Sequence, residues 1–548
     1  MNHKWSLYWH TLRHLKLVQF YARVWLRLYR PKVQLATAPH CAVQQQHWRS
    51  HIAKAATLHS ANEIVLFGQS ETLTKTLWND SALPKLWLYN LHYFDDLSSQ
   101  SSPEKMLWQS QFITQWLCDN PPAIGNGWES YPISLRVVNW IKWLLQGNQA
   151  VDGMLDSMAV QIRFLELRLE YHLLGNHLFE NGKTLVFAGL FFEGAEADRW
   201  LKKGLAILTK ELPEQILADG GNFELSPMYH AILLDGMLDL LNVIQVFDLK
   251  CHKVSSTFLR TLKDTLERML YWLSGMVHPD GHITLFNDAA LNIAPNLLQL
   301  QHYAARLGVQ STEVSKEQVV VHFPDTGYVR LQQQKWFVFC DVARVGPDYL
   351  PGHAHADTLS FEASFDGHRL FVDSGTSEYG DGVERQRQRG TAAHNTVVID
   401  NVNSSEVWGG FRVAQRAYPK IIDLQQNPPM LTASHNGYHR LQGKVIHQRC
   451  WQLKDGELLI VDELQGTYQH AQSFLHLHPD VIVLSANSHS CQLKLMTHIL
   501  AVDVTGAELN IESSTWHPAF GVSQSSKKIV LTFKSPTLKT IIRESLKL

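Results

Sequence analysis

A chain of 548 residues with 49 Lys and Arg, 51 Asp and Glu and a net charge of −2 has room for several domains. That balance excludes general nucleic-acid binding by charge alone. Six widely spaced cysteines without a C-x-x-C pair exclude a thiolate zinc site and give no disulfide framework.

The first element is basic. No acidic residue precedes Glu63, whereas Lys4, Arg13, Lys16, Arg23, Arg27, Arg30, Lys32, Arg49 and Lys54 are cationic. Leu15, Val18, Tyr21, Val24, Trp25 and Leu28 recur at helical spacing, so residues 5–30 read as one basic amphipathic helix. Such a helix docks on the body of the protein; the alternative is that residues 1–32 adhere to an anionic membrane surface. The N-terminus lacks the three-part pattern of a signal peptide, and no run of eighteen or more uncharged apolar residues occurs. The expectation is a cytoplasmic protein, with the inner face of the membrane as its alternative station.

From about 86 to 315 the pattern is helical. Apolar residues at three and four spacing fill 106–118, 133–146, 156–174, 183–192, 197–217, 228–247, 256–277 and 293–307. Turns such as NPPAIGNG, ADGGN and HPDGH separate them, and the near-regular pairing predicts an α/α toroid after a 1–85 basic segment. Beyond Glu317 the period changes to alternation, in pieces such as WQLKDGELLIVDEL and KKIVLTFKS. Residues 316–548 therefore read as a large antiparallel β-sandwich, giving helices first and strands second.

Polar groups gather at the helical turns: Trp128, Glu129, Tyr131 and Arg136; Asn176, His177 and Glu180; Glu224, Tyr229 and His230; His278, Asp280, Asn287 and Asp288. Singly each is a cap or a turn residue. Together, loops at one end of an α/α barrel converge, so these groups can line one cleft.

The densest chemistry lies in Gly352–Asp400, with His353, His355, Asp357, Asp373, Arg385, Arg387, Arg389 and His394. Histidines at i and i+2 share a side of an extended backbone. With Asp373 and His394 they could complete a three-ligand site for a borderline ion such as zinc, or bond to one another across a sheet. Arg389 is the candidate carboxylate contact among the three arginines. Trp408, Phe411 and Arg412 could stack on a sugar or pack in the core. His435, His439, His447, His476 and His478 carry no catalytic expectation.

The motifs G-H-A-H-A-D-x-L-S-F-E, VDSGT and R-G-T-A-A-H-N-T-V, with GNHLFENG and SPMYH, resemble the heparinase II/III family. The resemblance covers roughly residues 90–400 and implies a polysaccharide lyase with an α/α toroid and an antiparallel β-sandwich. It implies that His355, Asp373 and His394 bind a structural Zn2+ and that Tyr229 is the catalytic tyrosine. His353 would reach into the cleft, Asn176 or His177 would neutralise a uronate carboxylate, and Glu180 would be a cleft glutamate. Where the family often has Arg-Ser-Thr, this chain has Arg389-Gly390-Thr391, which leaves the arginine's role open.

In such a site the uronate C5 proton becomes removable once donors at Asn176, His177 or Arg136 stabilise its carboxylate, with Trp128 and Arg389 on the substrate side. Tyr229 as both base and acid requires neighbouring cations to favour its phenolate. The expected partner is an anionic polysaccharide or oligosaccharide, and no nucleic acid. The alternatives are a uronyl C5-epimerase acting in surface polysaccharide synthesis, or a non-catalytic glycan-binding protein.

Overall fold

The computed structural model describes residues 3–100, 102–248 and 253–545. The basic N-terminus forms two helices, α1 (His3–Leu12) and α2 (Leu17–Leu28), where the spacing predicts one. The chain turns between them, and Gln19 Oε1 accepts from the Lys16 N–H at 2.9 Å to restart the helix. Helix α2 ends ahead of the Arg30-Pro31 step, since a residue before proline is pushed out of α backbone. Residues 29–62 hold no helix; they run over the helical body before a hairpin of Glu63–Leu66 and Gln69–Thr72. The 1–85 segment is thus helical only at its start, apart from a 3-10 turn at Leu77–Asn79.

The helical body comprises α3 (Lys85–Tyr93), α4 (Pro103–Asp119), α5 (Ser130–Leu145), α6 (Met154–Glu166), α7 (Gly175–Phe191), α8 (Ala195–Gln215), α9 (Pro227–Phe247), α10 (Ser256–Gly275) and α11 (Leu297–Arg306). Caps set several of the starts: Ser102, Ser226 and Ser255 each accept a backbone N–H of the first turn, and proline follows the first two. Helices α7 and α9 are apolar nearly all round and run through the centre, with Phe187, Leu190, Leu234, Leu238 and Leu241 buried.

The remainder is an antiparallel β-sandwich, so the chain is an N-terminal (α/α) toroid followed by a β-sandwich. A five-stranded sheet runs from Val320–Phe323 to His368–Phe371, and an eight-stranded sheet from Pro419–Gln426 to Ile482–Ala486. A four-stranded sheet is built on Gln524–Phe533. Their inner faces meet through Leu331, Val338, Phe361, Trp451, Leu493 and Ile529. Strands Ile446–Lys454 and Glu457–Gln465 alternate buried and half-exposed residues, as the sequence pattern requires. Asp455 and Gly456 turn between them at φ 54° and 83°, the primed geometry that a two-residue hairpin favours.

The two halves share buried polar contacts. Tyr328 Oη donates to the Leu225 carbonyl at 2.6 Å, and Asp219 Oδ2 accepts from the Thr326 N–H and hydroxyl at 2.7 and 2.9 Å. Helices α1 and α2 straddle the same seam. Trp408 Nε1 donates to Thr11 Oγ1 at 3.1 Å, Lys16 pairs with Glu214 at 2.5 Å, and Gln19 donates to the Tyr349 carbonyl at 3.3 Å.

Candidate active site

Tyr229 sits on the first turn of α9, placed there by the Ser226 cap, whose Oγ accepts the Tyr229 N–H at 3.3 Å and donates to the Asp288 carbonyl at 2.6 Å. One serine therefore fixes the tyrosine against the loop that carries Asp288. From the sandwich side, the loop Gly352–Asp357 brings His353 onto Tyr229, with ring centroids 4.0 Å apart. Tyr379 completes the group, its phenol oxygen 2.9 Å from that of Tyr229. Phe411 lies beside Tyr379 and His353 at 5.5 and 6.2 Å and is nearly half exposed.

Asp288 is the hub. Its carboxylate accepts from His353 Nδ1 at 2.9 Å, His355 Nε2 at 2.8 Å, and Arg385 Nη2 at 2.7 Å, with Arg385 Nη1 as a fourth contact. Burial alone would raise its pKa, but Arg385 and the two imidazole hydrogen bonds hold it well below the usual carboxylate range. Tyr229 is displaced the other way: burial, then Tyr379, then the charges of Asp288 and Glu224 push its phenol well above 10. The cations that sequence reasoning sought beside Tyr229 are absent from that set, and Arg385 is spent on Asp288.

The second polar group opens α7. Asn176 Nδ2 donates to Tyr131 Oη at 2.9 Å, and the Tyr131 ring lies 4.3 Å from that of His177. His177 Nδ1 is 3.0 Å from Glu170 Oε1. Burial favours the neutral imidazole there, but Glu170's charge and hydrogen bond outweigh it and raise the pKa. Asn176 Oδ1 has no hydrogen-bond partner among the described residues. Gly175 joins the two groups: its φ is +53°, and a Cβ there would meet Leu350 Cδ2 at 2.4 Å and Glu224 Oε1 at 3.0 Å. Glu224 in turn lies 3.6 Å from His353 Nε2. Asn176, His177, Tyr229 and His353 are all half-buried, as groups that meet a ligand must be.

Four expected substrate contacts are otherwise engaged. Arg136 is fully buried, with its guanidinium on Gln161 Oε1 and the His92 and Gly127 carbonyls. Trp128 is buried, stacks on Trp116 and donates to the Asn120 carbonyl at 3.1 Å. Glu180 is buried in an ion pair with Lys183 at 2.6 Å. Arg389 is buried on the Ala354, Gly409 and Arg412 carbonyls, so it holds the backbone between His353 and His355 rather than a carboxylate. In each case the core took a long side chain that the sequence pattern allowed on either side. Tyr379, Glu170 and the hub role of Asp288 were missed, and Arg389 was favoured over Arg385, the arginine that reaches the site; Tyr379 had a signal as the one aromatic in the polar loop after VDSGT.

A buried cluster behind the cleft has donors suited to a metal. His355, Asp357 and His394 each offer a ligand atom within 4.8 Å of the others. His355 Nδ1, Asp357 Oδ2 and His394 Nε2 are also buried without a hydrogen-bond partner. The opposite ring nitrogens are braced by carboxylates, His355 by Asp288 and His394 by Asp373 at 2.6 Å, as metal-bound histidines usually are. Asp373, expected as the third ligand, spends Oδ2 on His394 and Oδ1 on the Gly375 N–H at 3.0 Å, and Asp357 supplies the free oxygen instead. Burial holds His355 near pKa 3, hence neutral, and pushes Asp357 up to about 6, an imbalance that a cation would relieve.

Among known proteins, a model described as Heparinase II/III N-terminus matches residues 147–308, and one described as Heparinase II/III-like, C-terminal matches 316–544. A heparin-sulfate lyase of Bacteroides stercoris is 27% identical over 318 residues, which is 54% of this chain and 45% of that protein. One of Pedobacter heparinus is 27% identical over 300 residues, 50% and 42% respectively. The chain spans about half the length or less of these curated relatives. A crystal structure of heparinase III superposes with a TM-score of 0.68 at 16% identity, covering 97% of this chain and 85% of that one.

Proposed function

The chain belongs to the heparinase II/III family, and on that premise we propose that it is a polysaccharide lyase cleaving a uronate-containing anionic glycan by β-elimination. The observation that carries this reading is the contact of Tyr229 with His353, ring centroids 4.0 Å apart, with Asp288 behind the imidazole. The relatives named heparin-sulfate lyase support a glycosaminoglycan-like substrate.

Asn176 and His177 take the uronate carboxylate and stabilise the charge that spreads onto it. Asp288 accepts a hydrogen bond from His353 Nδ1–H, which leaves Nε2 free to remove the C5 proton, the orienting role a carboxylate plays for a catalytic imidazole. Tyr229, held as a neutral phenol by its surroundings, gives its proton to O4 as the C4–O4 bond breaks and C4=C5 forms. Phe411 offers the sugar an aromatic face. His355, Asp357 and His394 would hold a zinc ion, which when bound neutralises the buried carboxylates and ties the His353 loop to the His394 loop.

The test is turnover on a panel of uronate polymers, read by absorbance of the conjugated double bond and by deuterium uptake at C5. Unsaturated product that disappears in Tyr229→Phe and in His353→Ala supports the reading. Deuterium uptake without cleavage would replace it with a C5-epimerase, and binding without either signal would leave a glycan-binding protein.

Helices α1 and α2 support one further part of the proposal, peripheral contact with an anionic membrane. Trp5, Trp9, Leu17, Tyr21, Val24, Trp25 and Leu28 are each more than half exposed, in a segment without a single acid. Flotation with anionic liposomes, with and without residues 1–32, decides it; equal recovery removes the membrane from the proposal.

A further inference from the structure

Helix α2 has a second face. Arg23, Arg27 and Arg30 line one wall of an open cavity of about 750 Å³, facing Arg168, His172 and Glu170 of the helical body. Among the described residues none of the four guanidinium groups has an ion-pair or hydrogen-bond partner; Arg168 only lies over the Phe164 ring at 5.7 Å. The two carboxylates in the wall are committed elsewhere. Glu129 is held by Lys85 at 2.5 Å and by Tyr89, and Glu170 by His177 and Asn181 at 3.0 Å each. The cations also crowd each other: burial, then the charges of Arg412 and Arg27, depress the Arg23 pKa. Arg23, Arg27 and Arg30 are exposed and hydrated and Arg168 is half-buried, so their donors are free to be taken by an oxyanion that enters the cavity.

The cavity adjoins the proposed carboxylate site. Glu170, in its wall, is the residue that holds His177, and Ser130 at its rim precedes Tyr131, the partner of Asn176. Arg412, whose charge acts on Arg23, follows Phe411, the ring beside His353.

We propose that this cavity is an anionic-glycan subsite, built half by α2 and half by the helical body, that grips sulfate or carboxylate groups of sugars beyond the one bound at Asn176 and His177. It rests on the lyase reading for its placement, and on the unpaired arginines for its chemistry. Guanidinium groups bind oxyanions such as carboxylate and sulfate through paired donors, and a volume of this size admits about one to two sugar rings. The N-terminal helix is then part of substrate recognition.

The experiment measures binding apart from turnover. A Tyr229→Phe host is titrated by calorimetry with a heparan-sulfate hexasaccharide and with its chemically desulfated counterpart. Adding Arg27→Gln with Arg168→Gln should weaken the sulfated probe about tenfold or more and flatten the salt dependence of its affinity, with an unchanged Tm. Arg27→Lys should recover part of the loss. A loss confined to the sulfated probe assigns the subsite to sulfate, and an equal loss on both assigns it to carboxylate. In the wild-type background the same pair should raise KM with little change in kcat. Unchanged affinity in the double variant, or no binding of either probe to the host, overturns the proposal. Absent turnover together with intact, arginine-dependent binding would instead sink the lyase reading and leave the subsite standing.

Discussion

Tyr229 and Tyr379, 150 positions apart, meet through a 2.9 Å hydrogen bond between their phenol oxygens. One comes from the helical body and the other from the sandwich, so the bond sets the tyrosine across the seam. Tyr379→Phe should leave Tyr229 in place but less firmly aimed, lowering kcat about tenfold with KM little changed. In the proposed mechanism Tyr229→Phe removes the proton donor and should cost about 10²–10⁴ in kcat. Equal effects from the two variants would mean that the role is shared, and a larger effect in Tyr379→Phe that it is reversed.

Asp288 compensates Arg385 where both are fully buried. Removing one partner of such a pair strands the other charge, at a cost of about 3–5 kcal/mol. Asp288→Asn should therefore lower the Tm by several degrees as well as abolish turnover. A double variant with Arg385→Met should recover much of the stability and none of the activity. Stability unaffected by the single change would show that the pair is solvated in solution.

The order of helices and strands could be read from the sequence because it rests on period. The buried apolar residues of α10, Phe258, Leu262, Leu266, Met269 and Leu273, recur at three and four spacing and those of Glu457–Gln465 at two, and the Ser255 cap and the Asp455-Gly456 turn mark their starts. Tyr229, His353, Asn176 and His177 were singled out through motifs; the fold packs Tyr229 on His353, sets Asn176 and His177 together on Tyr131, and leaves all four half-buried. What could not be read was which polar side chains face inward. Arg136 and Arg389 look like ligand contacts in a string of letters, yet their donors satisfy backbone carbonyls within the core. Asp357 and Asp373 are equally placed in the sequence, and only the fold shows which has an oxygen left over.

That distinction is measurable. The protein as purified should hold about one zinc per chain, and chelation should lower its Tm. Asp357→Ala and His394→Ala should lose the metal outright. Asp373→Asn, which only weakens the brace behind His394, should bind it about 10–100-fold less tightly. Complete metal loss in Asp373→Asn with retention in Asp357→Ala would reverse the assignment.

The β-sandwich carries its own acid switch. Asp462 is buried against Arg449 at 2.7 Å and His447 at 2.7 Å. Burial opposes its ionisation, but Arg449 and the His447 hydrogen bond win and hold its pKa near 2. A carboxylate depressed in the folded state stabilises at pH values above its unfolded pKa near 4, and the benefit fades as the pH falls towards 2. Its size is on the order of 2 kcal/mol. Asp462→Asn should lower Tm at pH 7 and show a flatter loss of Tm between pH 4 and 2 than the wild type. Parallel acid limbs would show that other carboxylates set the acid limit.

The catalytic pH profile tests the other titrating pair. His177 keeps its proton to higher pH than a free imidazole because Glu170's charge and hydrogen bond outweigh its burial. If the imidazolium is what neutralises the substrate carboxylate, kcat/KM falls as the pH rises through that elevated pKa. Glu170→Gln removes the negative charge, so the pKa drops and the alkaline limb should move to lower pH, with activity preserved on the acid side. The shift belongs to His177 only if it vanishes in a His177→Asn background, where a neutral amide does the same work without titrating. A limb that stays in place when Glu170 is neutralised would assign the profile to another group and leave Asn176 as the sole carboxylate donor.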